Sequence, residues 1–179
     1  KRENMITEID FAILNFIQTL RTPFGDFFMT LVTMLGNGGA VWIAITAIMI
    51  CIPKYRKIGI VMGVTFVLNA VVYGLILKPL VARPRPFIQN PAFELLINAP
   101  GGFSFPSGHT ASSFTVVTTL FCFKHKLWIP TGILAVLIAF SRLYLYVHFP
   151  SDVLAGIVIG ITFSAVCYFL FKKSEARHL

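Results

Sequence analysis

Long uncharged stretches alternate with short charged ones along the chain, and the stretches set the first expectation. About 20 mostly apolar residues are needed to cross the hydrocarbon core of a bilayer as a helix. Five runs qualify: 23–52 with Asp26 as its only charge, 58–80 with Lys78 near its end, 107–123 with none, 128–147 with Arg142 near its end, and 151–171 with Asp152 at its start. Run 23–52 carries Gly36-Asn37-Gly38-Gly39 in its middle, where glycines lower helix propensity, so one bent span is expected rather than two. Residues 6–21 repeat Ile6, Ile9, Ile13, Leu14, Ile17 and Leu20 at helical spacing, with Glu8, Asp10, Asn15 and Gln18 between them. That is the pattern of an amphipathic helix. It is read as a short first span packed against its neighbours, with a helix lying at the interface as the other reading. The expected fold is all-α, an integral membrane helical bundle of about six transmembrane helices.

Composition agrees with a membrane protein. Of 179 residues, 56% are hydrophobic and 12% charged, against about 25% charged in a soluble domain. Lys+Arg 15 against Asp+Glu 7 gives a net charge of +8, and in so apolar a chain that excess does not describe a soluble nucleic-acid binder or a disordered basic tail. No Pro/Ser-rich linker or internal repeat divides the sequence, so residues 1–179 are read as one membrane-embedded domain. The chain opens at Lys1 rather than Met, compatible with trimming or processing, and no signal peptide followed by a soluble body is read.

Charge in the connecting segments gives an orientation, because cytoplasmic loops are enriched in Lys and Arg. Lys54, Arg56 and Lys57, then Lys124 and Lys126, then Lys172, Lys173 and Arg177 fall on one side if the helices alternate. That side is read as cytoplasmic, in a multi-pass protein of a bacterial cell membrane, which leaves 81–106 and 146–151 outside. Cys51, Cys122 and Cys167 have no metal-ligand spacing and are read as packing residues. His125 and His178 are read as solvated.

Three polar clusters meet at the outer helix ends. Lys78 precedes Arg83-Pro84-Arg85-Pro86; Pro106-Ser107-Gly108-His109 opens the next run; Ser141-Arg142 closes the one after it, followed by His148 and Asp152. Lys78, Arg85 and Arg142 supply three cations, and arginine forks match phosphate oxygens. Ser107 is placed as an N-cap, with the amides of Gly108 and His109 behind it at the positive end of a helix. Gly108 lets the backbone approach closely. Such a constellation suits stabilisation of a transferring phosphoryl group without a metal. His148 precedes Asp152 by four residues across Phe149-Pro150-Ser151, with Ser151 read as the N-cap of the last helix. A carboxylate that accepts one ring N–H leaves the other nitrogen as a nucleophile, so His148 is the candidate nucleophile and Asp152 its orienting group. His109, at the phosphate-binding helix start, is the candidate general acid and base.

Together Lys78-x6-Arg85-Pro86, Pro106-Ser107-Gly108-His109 and Ser141-Arg142-x5-His148-x3-Asp152 resemble the three-part signature of the type-2 phosphatidic acid phosphatase family, with all eleven signature residues present in order. The resemblance implies a helical-bundle phosphatase that acts through a phosphohistidine, without metal or other cofactor, on the extracytoplasmic side. Ser141, by its place in the signature, is read as a phosphate contact or a support for Arg142 rather than a helix back-bonding serine. Arg83 lies outside the signature and is left out of the core site. The implied partner is a lipid phosphate presented from the bilayer, with no obligate protein partner. Phosphatidylglycerophosphate is placed first and undecaprenyl diphosphate second, with phosphatidic and lysophosphatidic acid behind them. The segment 87–105 is read as an interfacial turn bordering lipid entry, and Tyr144 and Tyr146 as anchoring or packing residues.

Rival readings are weaker. A transporter or channel would place ionisable residues in mid-membrane and often shows an inverted repeat with paired broken helices, whereas these polar residues gather at one face. A vanadate-dependent haloperoxidase has a similar anion pocket but is a soluble protein.

Overall fold

A computed structural model describes residues 2–177, with side chains from Met5 onward; His178 lies outside the described residues. The chain runs through α1 (Arg2–Thr19), α2 (Pro23–Gly36), a 3-10 turn (Asn37–Gly39), α3 (Ala40–Cys51) and α4 (Arg56–Val71). A π-helical segment (Val72–Leu77) leads from α4 into α5 (Lys78–Val81), followed by the single-turn α6 (Pro86–Gln89), α7 (Gly108–Cys122), α8 (Trp128–Tyr144) and α9 (Pro150–Glu175).

Local chemistry explains the boundaries that matter. Thr22 caps α2, its Oγ1 accepting from the Gly25 amide at 3.0 Å, with Pro23 in the first turn. The expected bend sits at Gly38 and Gly39, whose φ of 60° and 71° are left-handed. At Gly39 a side chain would also meet the Phe66 ring, 2.6 Å from an added Cβ.

Helix α7 is the centre of the molecule, packed most extensively against α9 and then α8 and α4. It is rich in hydroxyls that a buried helix must satisfy. Ser113, Thr115 and Thr119 donate to the carbonyls of His109, Ala111 and Thr115 at 2.6, 2.9 and 2.9 Å. From α4, Asn69 Nδ2 donates to the Ala111 carbonyl at 3.1 Å and to Thr115 Oγ1 at 2.5 Å. From α9, Ser164 Oγ donates to the Thr115 carbonyl at 2.9 Å. Gly156 and Gly160 let α9 approach, since an added Cβ would stand 2.8 Å from the Ser107 carbonyl oxygen and 2.6 Å from that of Ala111.

The expectation of about six transmembrane helices is corrected. Among the described residues three helical stretches are long and apolar enough to cross a membrane: Pro23–Cys51, Pro53–Gln89 and Pro150–Glu175. Run 107–123 yields a helix of 15 residues and run 128–147 one of 17, about 22 and 26 Å at 1.5 Å per residue, short of a core of about 30 Å. Helix α1 carries charge along its length, and its expected apolar stripe is divided. Ile6, Ile9, Ile13 and Leu20 are exposed, while Asp10 joins Leu14 and Ile17 against the bundle.

Two ends of the bundle differ in character. At one, Lys57 Nζ meets Glu175 Oε1 at 2.5 Å, the Tyr55 and His125 rings pack edge to face at 4.7 Å, and Phe123 packs on Tyr168. Three basic segments therefore converge, as the charge pattern predicted. Large apolar side chains such as Phe24, Leu75, Leu80, Val158 and Phe169 are exposed, as lipid-facing residues are in a membrane bundle. Cys51 is exposed rather than packed, and Cys122 and Cys167 are half-buried.

Candidate active site

At the other end a cavity of about 350 Å³ is lined by Lys78, Arg85, Gly108, His109, Arg142 and His148, with Gly36, Phe66 and Tyr73 along its apolar side. Seven of the nine residues singled out for the site converge here or directly behind it through this placement: six line the cavity, and Asp152 supports His148 from behind. Ser107 and Ser141 stand apart from the lining. Ser107 is the N-cap of α7, its Oγ accepting from Thr110 Oγ1 at 2.9 Å, and its amide donates to the Asp152 carbonyl at 3.0 Å. Ser141 is fully buried and donates to the Ile138 carbonyl at 2.7 Å. That is the back-bonding role: α8 points this hydroxyl into its own preceding turn.

Arg85 organises the centre. Its Nε and Nη2 donate to the carbonyls of Gly102 and Gly101 at 3.0 Å each, and Nη1 donates to the Val147 carbonyl at 2.9 Å. The same Nη1 lies 3.1 Å from His148 Nε2. A guanidinium can only donate, so this nitrogen of His148 is the acceptor and the ring proton resides on Nδ1. Nδ1 stands 3.4 Å from Ser104 Oγ and 3.5 Å from Asp152 Oδ2, and Ser104 itself donates to Asp152 Oδ2. The Nε2 lone pair thus points toward the cations and the N–H toward a carboxylate. Burial, followed by the nearby Arg142 and Arg85 charges, pulls the His148 pKa down to about 3 against the opposing effect of its hydrogen bond to Asp152. That shift favours the neutral ring.

The remaining side chains frame the cavity. Lys78 Nζ donates to the Phe103 carbonyl at 2.7 Å. Arg142 donates through Nη1 to Thr33 Oγ1 at 2.5 Å, and its buried Nε has no partner among the described residues. His109 Nε2 lies 3.0 Å from Asn37 Oδ1, which makes that nitrogen the donor. The ring fits because Gly36 has no side chain; an added Cβ would be 2.8 Å from His109 Cδ2. Gly108 likewise leaves room for the Tyr73 ring, 2.8 Å from an added Cβ. The π-helical segment carries Tyr73 to this wall, a local widening often found at functional sites.

Several expectations at the rim are revised. Phe149 is the N-cap of α9 and Pro150 its first residue, so Ser151 lies inside the helix and not at its cap. Tyr144 and Tyr146 are buried, donating to Asp26 Oδ1 and Asn15 Oδ1 at 2.8 and 3.1 Å, and act in packing. In the segment 87–105, Phe93 stacks on Tyr146 at 4.1 Å and Leu95 joins the same buried clusters. Sequence reasoning missed Ser104, which sits in a loop without periodicity, and it set aside Arg83, which binds Asp152 from the side away from the cavity.

The donor set is that of an anion site, since three cations line the cavity that His148 also lines. Among the described residues no group of three or more His, Cys, Asp or Glu converges as a metal cage would.

Similarity to known proteins follows the same residues. The lipid A 4'-phosphatase of Bacteroides thetaiotaomicron is 34% identical over 96% of this chain and 81% of its own length. Phosphatidylglycerophosphatase B of Bacillus subtilis is 32% identical over 97% and 87%. The undecaprenyl-diphosphatase of Sulfolobus acidocaldarius is 42% identical over 67% of this chain and 58% of its own length, so the match spans little more than half of that relative. The crystal structure of the transmembrane PAP2-type phosphatidylglycerolphosphate phosphatase from Bacillus subtilis superposes with a TM-score of 0.77 at 30% identity, over 95% of this chain and 88% of that one. Aquifex aeolicus LpxE superposes with a TM-score of 0.73 at 29% identity, over 88% and 93%. With the PAP2 superfamily profile matching residues 55–176, the whole signature included, this chain belongs to the PAP2 superfamily as a multi-pass membrane member related to the small bacterial membrane phosphatases.

Proposed function

We propose that the chain is a metal-independent lipid phosphate hydrolase working through a phosphohistidine on His148 Nε2. The observation that carries this is the unprotonated Nε2 facing Arg85 in a cavity that Lys78 and Arg142 also line. A lipid phosphate bound by these cations presents phosphorus to the Nε2 lone pair. The N–P bond forms as the ester P–O bond breaks, and the cations offset the charge on the equatorial oxygens. Binding of the dianion favours a protonated His109, which gives its proton to the leaving alkoxide and then takes one from water. Water attacks phosphorus, the N–P bond breaks, and inorganic phosphate leaves with His148 restored.

Phosphatidylglycerophosphate is the first substrate. Support comes from the phosphatidylglycerophosphatase B of Bacillus subtilis, similar over nearly the whole of both chains. Undecaprenyl diphosphate is the second, favoured by the higher identity to the archaeal undecaprenyl-diphosphatase over a shorter match. The site is assigned to the extracytoplasmic face because the basic loops lie at the opposite end.

The purified protein in detergent with a chelator is expected to release phosphate from these lipids, and a His148→Ala variant to lose about a thousandfold or more of that activity. Acid-quenched wild type is expected to carry labelled phosphate that the variant lacks. Strict dependence on added magnesium, or a phosphoenzyme that persists in His148→Ala, would overturn the mechanism.

A further inference from the structure

Arg83 lies two residues from Arg85 and does not line the cavity; it meets two buried carboxylates at the back of the site. Its Nη1 donates to Asp152 Oδ1 at 2.9 Å and to Ser151 Oγ at 2.7 Å, and its Nη2 donates to Asp10 Oδ2 at 2.7 Å. Asp10 closes the loop, accepting from the Ser151 amide at 2.9 Å and from Ser151 Oγ at 2.5 Å. The guanidinium also lies over the Phe149 ring, its Cζ 3.9 Å from the centroid. Side chains of Asp10 and Asp152 are 4% and 0% exposed. At that burial an unpaired carboxylate is costly, so each depends on the arginine between them.

The consequence reaches His148 through one carboxylate. Asp152 Oδ2 accepts from the Phe149 amide at 2.9 Å and from Ser104 and faces His148 Nδ1, whereas Oδ1 is the oxygen bound by Arg83. Holding both oxygens fixes the plane of the carboxylate, and with it the side on which the imidazole N–H is bound. A planar fork can bind two carboxylates at once; a lysine ammonium cannot reproduce that geometry. Asp10 belongs to α1, outside the residues 55–176 matched by the family profile.

We propose that Arg83 and Asp10 are positioning residues for the His148–Asp152 pair, with α1 bracing the nucleophile from outside the signature. This rests on the reading of His148 as nucleophile. Arg83→Gln, Arg83→Lys and Asp10→Asn are to be assayed on a short-chain soluble lipid phosphate, each also in an Asp152→Asn background. The expected result is a loss in kcat of about 10- to 100-fold with KM changed by less than about twofold, smallest for Arg83→Lys. In the Asp152→Asn background the same changes are expected to add little, because they act through the missing carboxylate.

Nitrogen-15 NMR of the histidine rings, with His148 assigned by His148→Asn, reads the same coupling without turnover. Arg83→Gln and Asp10→Asn are expected to lose the Nδ1–H signature of His148. Wild-type kcat in both variants, equal losses in both backgrounds, or unchanged ring signals would each overturn the proposal. Should Arg83→Gln not fold, the isosteric Asp10→Asn carries the test on the same criteria. A wild type inactive on every lipid phosphate would remove the functional reading, and the ring signals would still decide the positioning.

Discussion

At His148 a neighbour that can only donate decides which nitrogen is free. Arg85 faces Nε2, and Ser104 with Asp152 receives the proton on Nδ1, so the ring's tautomer and orientation are fixed, as the proposed nucleophile role requires. The same burial makes a prediction in pH. Unfolded, His148 takes up a proton near 6.5; folded, it does so only near 3. The unfolded state therefore binds more protons in that window, and stability is full above pH 6.5 and declines as pH falls through it. The detergent-solubilised protein is expected to lose Tm progressively below pH 6.5, with a shallower slope in His148→Asn; equal slopes would contradict it. Ser104, invisible to the motif, is expected to matter as well. Ser104→Ala removes a donor to a buried carboxylate and should lower kcat by about tenfold or more with little change in KM.

Among the elements, α7 carries the structural burden because it presents Gly108 and His109 at one end and packs against α9, α8, α4 and α3 along its length. Its close pairing with α9 depends on Gly156 and Gly160. Gly160→Ala would press a methyl against the Ala111 carbonyl and is expected to destabilise the fold by about 1–3 kcal/mol, read as a lowered Tm. The Ser107 cap was legible in the chain, since it is a short-range pattern. The burial of Asp10 on α1 was not. That helix's apolar spacing promised an inward apolar stripe, but the bundle offers Arg83 and Ser151 to that face, and Asp10 turns toward them.

For the whole molecule, the two ends divide the charge excess. Lys57, Glu175 and His125 gather at one end, and the three cavity cations at the other. With Cys51, Cys122 and Cys167 replaced by Ser, Lys126→Cys and Asn98→Cys, both at exposed positions, are expected to react with an impermeant thiol reagent from opposite sides of the membrane. Asn98→Cys is the one expected to react in intact cells. Labelling of both from one side would contradict the separation of ends.

Residue types at fixed spacing determined the signature, the candidate nucleophile and the membrane class, because each depends on local chemistry or on runs of apolar residues. Span count went astray for the same reason: an uncharged run does not reveal that α7 is only 15 residues long and spends its hydroxyls inside the bundle. Only the tertiary structure decided that Arg83 serves Asp152, that Ser104 joins the histidine, that Ser141 bonds its own helix and that Asp10 faces inward. Those roles depend on contacts between residues as much as 141 positions apart, such as Asp10 and Ser151. A one-dimensional pattern holds no information on which distant side chain will occupy the other half of a hydrogen bond.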